Sequence, residues 1–172
     1  DKKNINHKNG LVKTEQEQLV PGPDIGRNDF ASSTCVHHFF EKQVLKNPEL
    51  IAVVYHKEAM TYRELNEKAN QLAHFLKKKG VSSDYPVAIC LERSFMMVVG
   101  VLAILKAGGT CVPLDHHYPS DRLQFMLEDS GAQIILTDKK LSERLFFKSQ
   151  EIIFVDEITE WLVLESDQNP TE

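Results

Sequence analysis

Few residues of this chain stand at spacings that chemistry uses. The best placed are Lys106, Gly108 and Gly109 in the segment LKAGGTCVPLD, which begins at Leu105. A lysine beside paired glycines suggests a phosphate cradle. A phosphate loop, however, needs G-x-x-x-x-G-K-[ST], and here the lysine precedes the glycines. No G-x-G-x-x-G follows the strand-like run Pro86 to Leu91, so a dinucleotide has no fingerprint either. Glu92 and Arg93 close that run, at the end where α/β sheets often bind ligands. An ion pair or a helix-start charge accounts for them more simply. Asp115 could face the same crevice, although an Asp ahead of Tyr118-Pro119 fits turn chemistry. His37-His38 and His116-His117 are adjacent pairs. Neighbours on a helix diverge by about 100°, so one pair makes a poor metal site. The two pairs could meet in space, but exposed or hydrogen-bonded histidines are the simpler reading. No residue is therefore assigned as catalytic, cofactor-binding or metal-ligating.

The elements that would position these residues are legible from periodicity. Pro86 to Leu91, the apolar helix-length run Phe95 to Ala107, Gly108-Gly109 and the second strand-like run Thr110 to Leu114 make a βαβ unit. The helix is apolar all round, as for a helix covered on more than one side. The paired glycines stop it where left-handed or very close backbone is needed, with Gly109 read as a helix stop. Pro113 belongs at a strand end or bulge, because it cannot donate to the ladder.

Ahead of this unit, Asp1 to Ser33 is polar, aperiodic and carries Pro21-Gly22-Pro23, which reads as a linker. A helix is expected over Val36 to Leu45, capped by Ser32, Ser33 or Thr34, with Val36, Phe39, Phe40 and Val44 facing the core. Ile51 to Tyr55 predicts a strand, His56 to Ala59 a turn, and Met60 the return. Thr61 and Glu64 form a T-x-x-E capping box, followed by the apolar stripe Leu65, Ala69, Leu72 and Leu76, with Gly80 ending the helix. Beyond the unit, Pro119, Ser120 and Asp121 suit a helix first turn, and Leu123, Met126, Leu127 and Ser130 line one side until Gly131. Strands follow at Gln133 to Thr137 and Ile152 to Val155, separated by a short helix over Leu141 to Phe147. This alternation implies α/β architecture, a mainly parallel sheet with helices on both faces.

At 172 residues, 42% hydrophobic and 26% charged, the chain suffices for one domain with a real core. A net charge of −5 argues against nucleic-acid binding. Glu151 to Glu172 holds seven acidic residues and no basic ones, and is read as a solvated edge and end. Cys35, Cys90 and Cys111 are odd in number and widely spaced, which points to a reducing, cytoplasmic setting. Asp1 to Gly10 lacks the apolar core of a signal peptide. The run from Phe95 to Ala107 is shorter than the ~20 residues a membrane crossing requires.

Taken together, the segments resemble the adenylation domains of nonribosomal peptide synthetases, within the adenylate-forming ligases that include acyl-CoA synthetases and luciferases. LKAGGTCVPLD looks like the second signature of that family and MTYREL, Met60 to Leu65, like the first. VHHFFEKQVLKNPE from Val36, ELNEKANQLAHFLKKKGV from Glu64 and YPSDRLQFMLEDSGAQIILTD from Tyr118 read like the matching segments, in order and spacing. LVKTEQEQLV from Leu11 resembles a short helix after a condensation domain, interrupted here by Pro21. Where the family has proline, this chain has His116.

The resemblance covers Cys35 to about Pro170 and implies the acyl-adenylate synthetase fold, with residues 1–34 an interdomain linker and 35–172 the N-terminal part of an AMP-binding domain. The parent is expected to use ATP and Mg to form an aminoacyl-AMP and to pass the acyl group to a phosphopantetheine thiol on a carrier domain. Its partners would be the remaining adenylation subdomains and the carrier and condensation domains, with no nucleic acid and no membrane. The family's Ser/Thr/Gly phosphate loop has no counterpart, as no glycine follows Gly131. The chain alone is therefore expected to be inactive, marginally stable and self-associating. Trp161 to Leu164 should add an unpartnered apolar patch. Two alternatives stand: a naturally truncated, non-catalytic binding or docking module, or part of an acyl-CoA synthetase-like ligase.

Overall fold

A computed structural model describes residues 35–145, 150–158 and 162–171. The expected linker, the segment at Leu11, the caps Ser32 to Thr34, Phe146, Phe147 and Trp161 lie outside the described residues.

Local signals account for most element ends. The first helix, α1 (Val36–Lys46), leads into a hairpin of β1 (Ile51–Tyr55) and β2 (Glu58–Thr61), then α2 (Tyr62–Lys78). The Glu64 N–H donates to Thr61 Oγ1 at 3.2 Å and the Thr61 N–H donates to Glu64 Oε2 at 2.8 Å, the reciprocal capping box. Leu65, Ala69, Leu72 and Leu76 are all buried, as the stripe predicts. At the far end Val81 N–H donates to the Leu76 carbonyl and Gly80 N–H to that of Lys77, both at 3.0 Å. Gly80, at φ 92, makes this left-handed finish possible.

The βαβ unit consists of β3 (Pro86–Cys90), α3 (Phe95–Lys106) and β4 (Thr110–Pro113). Ser94 Oγ accepts from Met97 N–H at 3.3 Å and starts α3. The two glycines divide the work at its end. Gly108, at φ 88, is the left-handed residue, and Gly109 N–H closes the turn on the Ile104 carbonyl at 2.9 Å. Gly109 has no positive φ. A Cβ there would lie 3.0 Å from both the Tyr85 carbonyl oxygen and Val81 Cγ1. The helix stop thus belongs to Gly108 rather than Gly109, and Gly109 is required by close approach.

After β4 come α4 (Ser120–Ser130), β5 (Ile134–Thr137), α5 (Lys139–Leu145) and β6 (Glu151–Phe154). Gly131 ends α4 at φ 69. The helix α5 starts two residues before the expected Leu141, because Asp138 Oδ1 accepts from Leu141 N–H at 2.8 Å and so caps the turn earlier.

Strands β4-β3-β5-β6 form one parallel sheet in that order. Val87, Ile89, Ile134, Leu136 and Ile153 point to the face packed by α2 and α3. Ala88, Cys90, Ile135 and Ile152 point to the other, where Leu123 and Leu127 of α4 and Leu141 of α5 cover them. This period-two division is the covered sheet that the βαβ alternation implies. Pro113 is the last residue of β4, an edge strand, so its missing donor costs no ladder bond.

Two expectations differ from the structure. The hairpin turn is tighter than His56 to Ala59: Tyr55 pairs with Glu58, and His56 adopts φ 54 to close the chain over two residues. In α1, no residue is buried, and Val36 is 71% exposed. Phe40 packs against the core, but the helix lies outside α2 and α3 and has cover on one side only. Periodicity marks which residues share a side; it does not supply a neighbour for that side. Its N-cap is Cys35, which makes no side-chain cap bond.

Candidate functional site

In a sheet of this order the chain leaves β3 toward β4 on one side and leaves β5 toward β6 on the other. The crevice at the carboxyl ends of β3 and β5 is the topological switch point, where open α/β sheets place ligands. The sequence candidates Glu92 and Arg93 emerge there, just past Cys90, which pairs with Thr137 of β5. Glu92 lies 3.9 Å from Lys140 Nζ, with both side chains largely exposed, so this pair contributes little. The Glu92 carbonyl accepts from Ser94 Oγ at 3.2 Å, which ties the loop to the start of α3. Asp138 is engaged in capping α5. Thr137 is wholly buried and its Oγ1 has no hydrogen-bond partner among the described residues.

Lys106 goes elsewhere. It closes α3, its side chain is completely buried, and it forms an ion pair with Glu41 of α1. Its Nζ also donates to Asn169 Oδ1 at 3.2 Å and stands 5.9 Å from the centre of the Phe40 ring. Burial pushes the ammonium below its ordinary pKa, and the hydrogen bond and charge of Glu41 oppose that shift. A lysine held in this way is not presented to a phosphate. The residues around the paired glycines do not fit a nucleotide site, and no chemical step is derived through ATP in this chain.

Asn169 Oδ1 accepts further bonds from Asn66 Nδ2 at 3.2 Å and Asn70 Nδ2 at 3.0 Å. Around it the acidic end of the chain lies along α2. Asn70 Nδ2 donates to the Asp167 carbonyl at 2.6 Å, Lys77 Nζ to that of Thr171 at 2.6 Å, and Lys78 pairs with Glu165 at 2.7 Å. His74 Nε2 stands 2.9 Å from the Gln168 carbonyl. The reading of this stretch as a solvated end holds for the exposed side chains of Asp167 and Gln168 but not for their backbone. Sequence reasoning missed Glu41, Asn70 and Asn169; only Asn70, a polar residue within the buried stripe of α2, carries a local signal. The expected patch at the end is divided: Leu162 is buried, while Val163 and Leu164 are exposed.

The first signature proves structural at every position described. Thr61 and Glu64 cap α2, Tyr62 stacks 5.8 Å from Phe40, and Arg63 Nε donates to Glu49 Oε1 at 2.8 Å. Asp115 makes the expected turn: its Oδ1 accepts from the His117 N–H at 3.0 Å and lies 2.8 Å from His117 Nδ1. These bonds hold its carboxyl below the usual range. Among the cysteines, Cys90 is buried, Cys111 half-buried with its thiol pushed up by burial, and Cys35 exposed. No helix among the described residues is long and apolar enough to cross a membrane.

The architecture is shared with solved synthetases. It matches a crystal structure of the nonribosomal peptide synthetase FmoA3 with TM-score 0.74 and 28% identity, over 80% of this chain and 15% of that one. An N-terminal subdomain of Klebsiella oxytoca NpsA has the same fold, with TM-score 0.68 at 23% identity over 80% of this chain and 34% of its own. These define an α/β fold shared with synthetase subdomains. The profile described as AMP-binding enzyme matches residues 40–171. The chain belongs to that family and forms the N-terminal portion of a nonribosomal peptide synthetase adenylation domain. Zwittermicin A synthase ZmaJ of Bacillus cereus is 54% identical over 112 residues, 65% of this chain and 21% of that protein. Gramicidin S synthase 2 of Brevibacillus brevis is 43% identical over 154 residues, 90% of this chain and 3% of that protein. The chain therefore spans only a small part of the relatives it matches.

Proposed function

We propose that this chain is the opening scaffold of an amino-acid-activating unit, with residues 1–34 an interdomain linker and 35–172 the start of the adenylation domain. In the whole synthetase that unit would consume ATP with magnesium, join an amino acid to AMP and deliver the acyl group to a phosphopantetheine thiol. Carrier and condensation domains, in the cytoplasm, would be its partners. The observation that carries the reading is the family match over nearly all of the described residues, together with a motif lysine that is buried in an ion pair instead of facing a ligand.

What this chain contributes is position. The capped α2, the paired glycines and the anchored end hold the sheet and its carboxyl-edge loops in place. Catalysis of this kind depends on groups already aimed at developing charge, and none of the residues described above is so aimed. Amino-acid-dependent exchange of pyrophosphate into ATP tests the reading: the isolated chain should give none, and a longer protein carrying the next subdomains should restore it. Exchange by the isolated chain above a no-protein control would overturn the scaffold role. No exchange by either protein would favour a non-catalytic module.

A further inference from the structure

The turn from β4 into α4 carries three consecutive side chains with metal-ligating atoms, Asp115, His116 and His117. Adjacent histidines on a helix would point apart. These residues precede α4, which starts at Ser120, and in the turn their ligand atoms lie within 4.8 Å of one another. We propose that this turn binds a divalent transition-metal ion of borderline softness, Zn²⁺, Ni²⁺ or Cu²⁺, through the Asp115 carboxylate and both imidazoles, with water completing the shell.

The chemistry of the donors selects that class. Imidazole suits zinc, nickel and copper, whereas magnesium and calcium take oxygen-rich shells. Metal–ligand bonds of about 2.0–2.2 Å put neighbouring donor atoms roughly 3 Å apart around one ion. Asp115 Oδ1 and His117 Nδ1 already stand at 2.8 Å, a contact in which the ion would replace the shared proton. The His116 ligand atom lies within 4.8 Å of both. Exposure of 52% for the Asp115 side chain and 76% for His117 leaves room for the ion's water.

The backbone beneath is held. The Tyr118 N–H donates to the Asp115 carbonyl at 3.0 Å, and Pro113 and Pro119 fix φ on either side. The N-terminus of α4 opposes a nearby cation, while the negative charge of the Asp115 carboxylate favours one.

Calorimetry of the full chain with zinc chloride, in a buffer that does not bind metals, tests the site. One zinc ion should bind to the parent chain. That binding should be lost in His117→Ala and in His116→Pro, weakened in Asp115→Asn, which keeps the turn, and retained in a His37→Ala/His38→Ala double variant. Copper titrated into the same proteins should show nitrogen hyperfine structure by electron paramagnetic resonance, absent from His117→Ala. Circular dichroism melts should stay close to the parent's, because Asp115 and His117 lie at the surface and His116 is only half-buried. No zinc binding by the parent chain would overturn the proposal. So would binding that survives both His117→Ala and His116→Pro, or binding lost with His37 and His38.

Discussion

The four-stranded sheet and the β1–β2 hairpin are built from similar β-branched and apolar runs, yet they end up differently. In β5 every residue is buried, because α2 and α3 cover one face of the sheet and α4 and α5 the other. In the hairpin, Ile51 is 60% and Val54 65% exposed, and Leu50 just before it is exposed as well. Apolar composition makes a strand in both places, but burial requires something to be buried against. The difference locates where this chain is complete in itself and where it offers a surface.

Substitution of a residue that covers the sheet and of one on the exposed hairpin probes the difference most strongly. Leu72→Ala removes a fully buried side chain of α2 and should cost about 2–5 kcal/mol, whereas Val54→Ala should stay within about 0.5 kcal/mol. Urea melts of the two variants decide it, and equal losses would mean that the hairpin is covered in solution. Next in size is Gly109→Val, at about 1–3 kcal/mol or more, since its Cβ meets the Tyr85 carbonyl oxygen and Val81. A midpoint unchanged from the parent would show that the chain at Gly109 does not approach Tyr85 and Val81 as described. Thr61→Ala, which removes the cap linking hairpin to α2, should cost about 1 kcal/mol by the same measurement.

The smallest effects concern charge. Hydrogen bonds from the Thr61 backbone and side chain hold the Glu64 carboxyl below its ordinary range. A carboxyl lowered by folding stabilises above its unfolded pKa, and that contribution disappears as pH falls through the folded value. Stability of the parent should therefore decline below about pH 4 more steeply than that of Glu64→Gln. Val54→Lys, finally, should leave the melt unchanged and lessen the self-association expected of the isolated chain, as read by light scattering over a concentration series. A parent that stays monomeric throughout would show that the exposed hairpin face is not adhesive.

Much of this molecule was legible from short-range chemistry. The order of strands and helices, the Thr61–Glu64 box, the buried stripe of α2 and the glycine ends follow from residues within one turn or one strand of each other. The assignment of Gly109 as the stop missed by one residue. Positive φ and close approach both call for glycine, and sequence alone cannot divide the two roles between adjacent positions.

Contacts distant in the chain were decided only by the tertiary structure. The order β4-β3-β5-β6 locates a switch point that no single segment contains. Lys106 reads as part of a glycine-rich signature, and its burial follows from Glu41 and Asn169 arriving from opposite ends of the described chain. The outward position of Val36 and the laying of residues 165–171 along α2 depend likewise on which surfaces remain uncovered after the sheet and helices have packed. Propensity, capping and periodicity act over a few residues and are written in local sequence. A buried charge finds its partner, and an apolar side its cover, only when segments far apart in the chain are brought together.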